Sequence, residues 1–243
     1  MPACRRIAIC CVLLSALSAL SVRAADLVIL VPTATEMPMA RFDRFTLVDG
    51  IHRDLGMALA EATGRKARFV AIPRKRIVET LQSGKADVLC NSIPEWLEGQ
   101  LSWTQPFLPM TEVVVTDRAA ERPRALADIS GQPVGTILGY RYPELEGPLG
   151  KGFVREDSAS TEANMRKLAA GRLHHIVTLK SFVDYRLKVG EPALVLHPPL
   201  PVRDYMGQCA VSPKGRVTVQ ELDRAVTKLV RDGTVAAIFA RYR

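Results

Sequence analysis

Past residue 24 the sequence has no apolar run approaching the roughly 20 residues that a membrane-spanning helix needs, so a soluble mature product is expected. Cysteine is scarce, with five in the chain at positions 4, 10, 11, 90 and 209. Neither sign of charge dominates. Basic and acidic residues are interspersed, and no basic cluster is interleaved with stacking aromatics, which argues against a nucleic-acid-binding face. Motifs of nucleophilic and metal-dependent hydrolysis are missing as well. There is no GxSxG and no HExxH, and "GPLGKGF" lacks both the spacing of a phosphate-binding loop and the Ser or Thr that follows its lysine. His174 and His175 are adjacent in an apolar strand, so they point to opposite faces and cannot serve one metal from that strand. His52 and His197 are isolated. No catalytic residue, metal or cofactor is expected, and the four histidines read as structural or surface groups.

The sequence does carry an export signal. Arg5 and Arg6 precede an apolar run from Ile7 to Val22, and Val22 and Ala24 form a small-x-small cleavage site before Ala25. Residues 1–24 are therefore expected to be a cleaved signal peptide, delivering the product to the periplasm. Cleavage removes Arg5, Arg6 and Arg23, lowering the net charge from +8 to about +5, with 30 basic residues left against 25 acidic. It also removes three cysteines, leaving Cys90 and Cys209 in an oxidising compartment, where they either pair or lie buried separately.

The mature chain contains an echo. "LQSGKADVLCNS" at 81–92 returns as "LAAGRLHHIVTL" at 168–179. Each unit closes a helix on Leu, turns at Gly and enters a buried strand. The separation is too long for a short solenoid repeat, so the echo marks one element in each of two similar lobes. The pattern around it agrees. "ADLVILVP" reads as a strand, "GIHRDLGMALAEATG" as a helix closed by Gly64, "ARFVAI" as a strand, "RKRIVETLQSG" as a helix closed by Gly84, and "ADVLCN" as a third strand. "FLPMTEVVVTD" is a long extended piece.

A second α/β unit follows. "PVGTIL" and "GFVRED" read as strands, "STEANMRKLAAG" as a helix capped by Ser160 and stopped at Gly171, and "HHIVTL" as a strand. The stretch "LHPPLPVRDYMGQCAVSPKG" suits a return crossing, and "TVQELDRAVTKLVRDG" and "TVAAIFARYR" read as terminal helices. Alternating strands and helices imply parallel pairing. In such sheets ligands bind beyond the carboxyl ends of the strands, which places Asn91, with Ser92, and Thr178 at equivalent ends facing one cleft.

With these pieces in order, the chain resembles the periplasmic solute-binding proteins of amino-acid-type ABC importers, family 3. The matching segments are "GIHRDLGMALAEATG", "LQSGKADVL", "LSWTQPF", "LADISGQPVGTILG", "LAAGRLHHIVT", "SPKG" and "DGTVAAIFARY". The resemblance implies an α/β, two-lobed periplasmic-binding-protein-like fold of type II with two extended crossing strands. Lobe 1 would comprise residues 25–111 plus 204–243 and lobe 2 residues 112–203. It implies a monomer that is not an enzyme and that holds a small-molecule ligand for an inner-membrane ABC permease.

Two departures from the family bear on the ligand. Where typical amino-acid binders carry a carboxylate-clamping arginine after the third strand, this chain has "NSIPEWLEGQ", with Trp96 near that place. Where they carry an acid for the ligand ammonium, it has Leu179. Breaking a buried ion pair costs about 3 to 5 kcal/mol, so the pattern argues against an ordinary α-amino acid. Arg74 falls where relatives offer an aromatic platform, Arg41 and Arg44 lie in the loop after the first strand, and Gly139, Tyr140, Arg141 and Tyr142 occupy the loop that meets ligand with backbone amides. Together with Phe42 and Trp96 these suit an anionic or planar ligand. The resemblance also makes the strands of Cys90 and Cys209 antiparallel neighbours, implying a cross-strand disulfide. It leaves two alternatives: an exported enzyme similar to cyclohexadienyl dehydratase, using Glu36, Glu95 or Glu98 as acid, and a sensor input subunit.

Overall fold

The run LVILVP forms β1 (Leu27–Pro32), and all six of its residues are buried, as expected of a strand covered on both faces. The computed structural model describes residues 25–190 and 194–242; the expected signal peptide lies outside the described residues. β1 is followed by a small hairpin, β2 (Arg41–Asp43) and β3 (Thr46–Asp49). Helix α1 (Ile51–Ala62) buries Ile51, Leu55 and Leu59 along one face. It leads to β4 (Ala67–Ile72), which pairs with β1 in parallel over the whole strand, from Leu27↔Ala67 to Pro32↔Ile72. Helix α2 (Ile77–Gln82) then feeds β5 (Val88–Ser92), parallel to β1 on its other side. Gly84 makes the turn between them at φ +77, and a Cβ there would lie 2.7 Å from the carbonyl oxygen of Lys214. Both the backbone angle and the space require glycine.

The second half repeats this plan. β8 (Pro133–Ile137) pairs in parallel with β9 (Val154–Ser158) and with β10 (His175–Leu179). Between β8 and β9 lies α3 (Pro143–Leu149), and between β9 and β10 lies α4 (Thr161–Ala169). The Ser160 hydroxyl caps α4 by accepting from the Ala163 amide at 3.2 Å. Gly171 at φ +65 turns the chain into β10 as Gly84 turns it into β5, so the sequence echo is a structural one. Helix α5 (Lys180–Lys188) follows at once.

β6 (Ser102–Trp103), β7 (Leu108–Thr116) and β11 (Leu200–Val211) complete the strands, with α6 (Val219–Arg231) and α7 (Thr234–Arg241) closing the chain. β7 and β11 are the crossing strands. They run antiparallel to one another from Leu200↔Val114 to Gly207↔Leu108; β11 also pairs with β5, and β7 with β10. The hydrogen-bonded order β4-β1-β5-β11-β7-β10-β8-β9 is thus continuous, a curled sheet in a two-lobed α/β architecture. The cores nevertheless separate. Alternate residues of β1 enter two clusters, Leu27 and Ile29 with α1, α6 and α7 on one face and Val28 and Leu30 with α2 on the other. In the second half Val113 and Val115 pack on one face of β7 and Val114 on the other. A small cluster of Ile93, Met110 and Tyr205, flanked by Trp96 and Leu179, lies where the crossing strands meet.

Cys90 and Cys209 are joined by a disulfide between β5 and β11. No described helix is long and apolar enough to cross a membrane.

Candidate functional site

Strands β1, β5, β8 and β10 bring their carboxyl ends to one cavity of about 120 Å³, lined from one half by Pro32 and Asn91 and from the other by Ile137, Thr178 and Leu179. Asn91, next to last in β5, lies in the left-handed region, at φ +60, a conformation that costs free energy in a non-glycine residue and clusters at ligand sites. Its Oδ1 and the indole Nε1 of Trp96 are buried without a hydrogen-bond partner among the described residues. Both residues line the cavity.

Arg74 enters the site from the turn that precedes α2. One Nη2 donates to the Trp96 carbonyl oxygen at 2.8 Å, and the guanidinium carbon stands 4.8 Å from the centre of the Tyr140 ring in the other half. Burial lowers its pKa from the ordinary arginine value, yet arginine stays charged at neutral pH. Among the described residues no carboxylate pairs with it.

Of the residues singled out in the sequence, the cavity wall includes Arg74, Asn91, Trp96, Tyr140, Arg141 and Thr178. Arg141 also forms an ion pair with Glu98 of the first half. Five others lie elsewhere. Phe42 sits in the β2–β3 hairpin and packs against Val31, Ala40 and Leu47, because the segment folds back as strands instead of continuing as a cleft loop. Ser92, the last residue of β5, is 1% exposed and does not line the cavity. Gly139, at φ +81, shapes the loop beside Lys75 without lining the cavity. Arg41 pairs with Asp49 and Arg44 occupies the hairpin turn, so neither lines the cavity.

The wall also contains Glu112, which sequence reasoning passed over, together with Glu36, a candidate acid from the sequence, and His52, read there as structural. Glu112, in the middle of β7, is only 4% exposed and accepts from the Tyr205 hydroxyl at 3.3 Å. Burial pushes its carboxyl up to about 7, with the nearby negative charge of Glu144 adding to the effect and the Tyr205 bond opposing it. Its signal was a lone acid beside the apolar run of "TEVVVT", where burial makes a charge costly. Glu36, in the loop after β1, is raised by burial, while hydrogen bonds from Ser160 and the Glu162 amide hold it down. His52 is buried in the wall and lowered to about 4 by burial alone, so it is neutral at physiological pH. Glu95 and Glu98 do not line the cavity. Among the described residues no group of three or more His, Cys, Asp or Glu side chains is placed to hold a metal.

Comparison with known proteins bears on the same arrangement. A family model described as bacterial extracellular solute-binding proteins, family 3, matches residues 29–243. Among solved structures, the chain is similar to an ancestral arginine-binding protein bound to arginine, at 21% identity over 90% of this chain and 98% of that one, with a TM-score of 0.73. It is similar to a periplasmic binding protein of Salmonella typhimurium with high arginine specificity, at 20% identity over 90% and 99% of the two chains, with a TM-score of 0.73. A third is the ancestral amino acid-binding protein AncCDT-1, a precursor of cyclohexadienyl dehydratase, at 17% identity over 90% and 95%, with a TM-score of 0.71. Identities at this level carry the fold alone. No curated protein sequence matches the chain.

Proposed function

The chain belongs to the bacterial extracellular solute-binding proteins of family 3, and from that premise we propose that it captures a small carboxylate-bearing organic ligand between its two halves, in the periplasm, for delivery to an inner-membrane ABC permease. The observation that carries the reading is Arg74: a cation in the cavity wall, with one N–H given to the Trp96 carbonyl and no carboxylate partner among the described residues. At an effective dielectric constant near 20, a carboxylate 4 Å from it gains about 4 kcal/mol, and the planar fork favours two parallel hydrogen bonds. The segments 25–111 plus 204–243 and 112–203 are the parts that close on the ligand, hinging on β7 and β11. The protein acts as a monomer.

A thermal-shift panel of organic acids, amino acids and polyamines tests this, since a ligand held only by the folded state raises the melting temperature. Carboxylates should give the largest shifts and Arg74→Gln should remove them. Polyamines shifting most, or carboxylate shifts that survive Arg74→Gln, would contradict the reading.

A second reading is an enzyme acting by acid–base elimination. It is favoured by Glu112, a cavity carboxyl poised near neutrality and so able to serve as a general acid. Turnover of prephenate or arogenate by the purified protein would support it; stoichiometric binding without product supports the receptor. A sensor role would be marked by ligand-driven closure in a protein for which no permease partner exists.

A further inference from the structure

We infer that Glu112, which Tyr205 hydrogen-bonds from outside the cavity wall, forms a cation-accepting subsite of the cavity, opposite in sign to Arg74, and that the ligand is a small zwitterion carrying a protonated amine set apart from its carboxylate. This rests on the reading of Arg74 and adds the second pole.

Glu112 is among the most buried acids of the chain and lies in the cavity wall. A carboxylate in that position requires a cation or several donors, and the only hydrogen bond it receives among the described residues is the 3.3 Å contact from Tyr205. The natural candidate is Arg203, its Cα partner on β11. That guanidinium instead forms an ion pair with Glu144 and lies over the Tyr205 ring, 5.2 Å from its centre. Among the described residues no cation therefore forms an ion pair with Glu112. Its other strand partner is Leu179, paired Cα to Cα across β7 and β10. Directly opposite residues of paired strands project from the same face, so Glu112 offers its acid beside the strand end where Leu179 offers none, and both line the cavity.

The two poles are held apart by Trp96. Its carbonyl receives Arg74 Nη2, and its ring meets that of Tyr205 edge-on, with centroids 5.1 Å apart. The same cavity wall includes Met39, Leu89, Ile137, Val177 and Phe182, which suits a short apolar chain joining carboxylate to amine. A cavity of about 120 Å³ is on the scale of the roughly 150 Å³ that admits benzene, so the ligand is a small one.

The test is calorimetry on the mature protein at pH 8 with matched pairs: 4-aminobutyrate against butyrate, and 5-aminopentanoate against pentanoate. The amine-bearing member of each pair should bind roughly 10- to 100-fold tighter, the worth of a hydrogen bond to a charged group. Glu112→Gln, whose fold is checked by its melting temperature, should abolish that advantage, and the simple acids should bind it no more weakly than wild type because a like charge has left the cavity. Equal affinity within both pairs, an advantage untouched by Glu112→Gln, or no binding of either amino acid at millimolar concentration overturns the inference. The wild-type comparison decides even if the variant misfolds. Should simple acids bind in an Arg74-dependent way regardless of the amine, this inference falls and the carboxylate reading stands; should Arg74→Gln leave acid binding intact, that reading falls.

Discussion

The side chain of Glu36 accepts a hydrogen bond of 2.7 Å from the backbone amide of Glu162. The two residues belong to different halves, the loop after β1 and the first turn of α4, so one carboxylate bridges the cavity to a helix N-terminus. An amide in the first helical turn lacks an intrahelical partner, and the helix dipole favours a negative charge there. The contact holds the halves together.

Replacing that carboxylate should loosen closure. Glu36→Ala is expected to lower ligand affinity by about 10- to 100-fold, from the loss of one charge-assisted hydrogen bond, with little change in melting temperature. Small-angle scattering of the unliganded variant should give a larger radius of gyration than wild type; an unchanged radius and affinity would mean the bridge has no role in closure.

Stability should depend on pH through Glu112. Its carboxyl is raised from an ordinary 4.5 to about 7, so between these values the folded state holds a proton that the unfolded state has released. Stability therefore falls as pH rises through that window and levels above about 7, by up to about 3 kcal/mol. Comparing urea unfolding of wild type and Glu112→Gln at pH 5 and 8 isolates the contribution: the variant should gain relative to wild type at pH 8. Because an ammonium selects the ionised carboxyl, affinity for 5-aminopentanoate should strengthen from pH 6 to 8, whereas pentanoate should show no such rise.

Asp87 is a structural counterpart. It is fully buried and accepts from the amides of Val28 and Arg216, each at 2.7 Å, joining β1 to the turn before α6. Asp87→Ala leaves two amides without a partner and should cost about 3 kcal/mol, measured by chemical denaturation. A loss below about 1 kcal/mol would show that the turn relaxes to satisfy them.

The disulfide closes a span of 119 residues, for which chain-entropy arguments give about 4 to 5 kcal/mol. Unfolding of Cys90→Ser/Cys209→Ser should show a loss of about 2 to 5 kcal/mol, and titration of unreduced, denatured mature protein should find no free thiol.

Legibility in the sequence followed physical rules. The apolar run of β1, the helix period of α1 and the glycines after α2 and α4 are local signals, and the elements formed where those signals stood. The echo aligned Asn91 with Thr178, and both line the cavity. Phe42 was misplaced because the β2–β3 hairpin, turning at Arg44 with φ +53, lacks the glycine that normally announces such a turn. Ser92, beside Asn91 at the end of β5, is buried off the cavity. Glu112 escaped notice because its importance comes from register: only the pairing of β7 with β10 and β11 sets it beside Leu179 and Tyr205. Non-local pairings of this kind leave no trace in spacing. Helices α3 and α5 were also hidden, α3 by Pro148 inside it and α5 by its weak amphipathic pattern.

The most direct test of ligand capture uses the chain's two tryptophans, Trp96 in the cavity wall and Trp103 in β6. In a Trp103→Phe protein, Trp96 emission should change saturably as 5-aminopentanoate is added, and the change should vanish when Arg74→Gln is introduced. Binding measured by calorimetry with no change in Trp96 emission would mean that the ligand sits elsewhere.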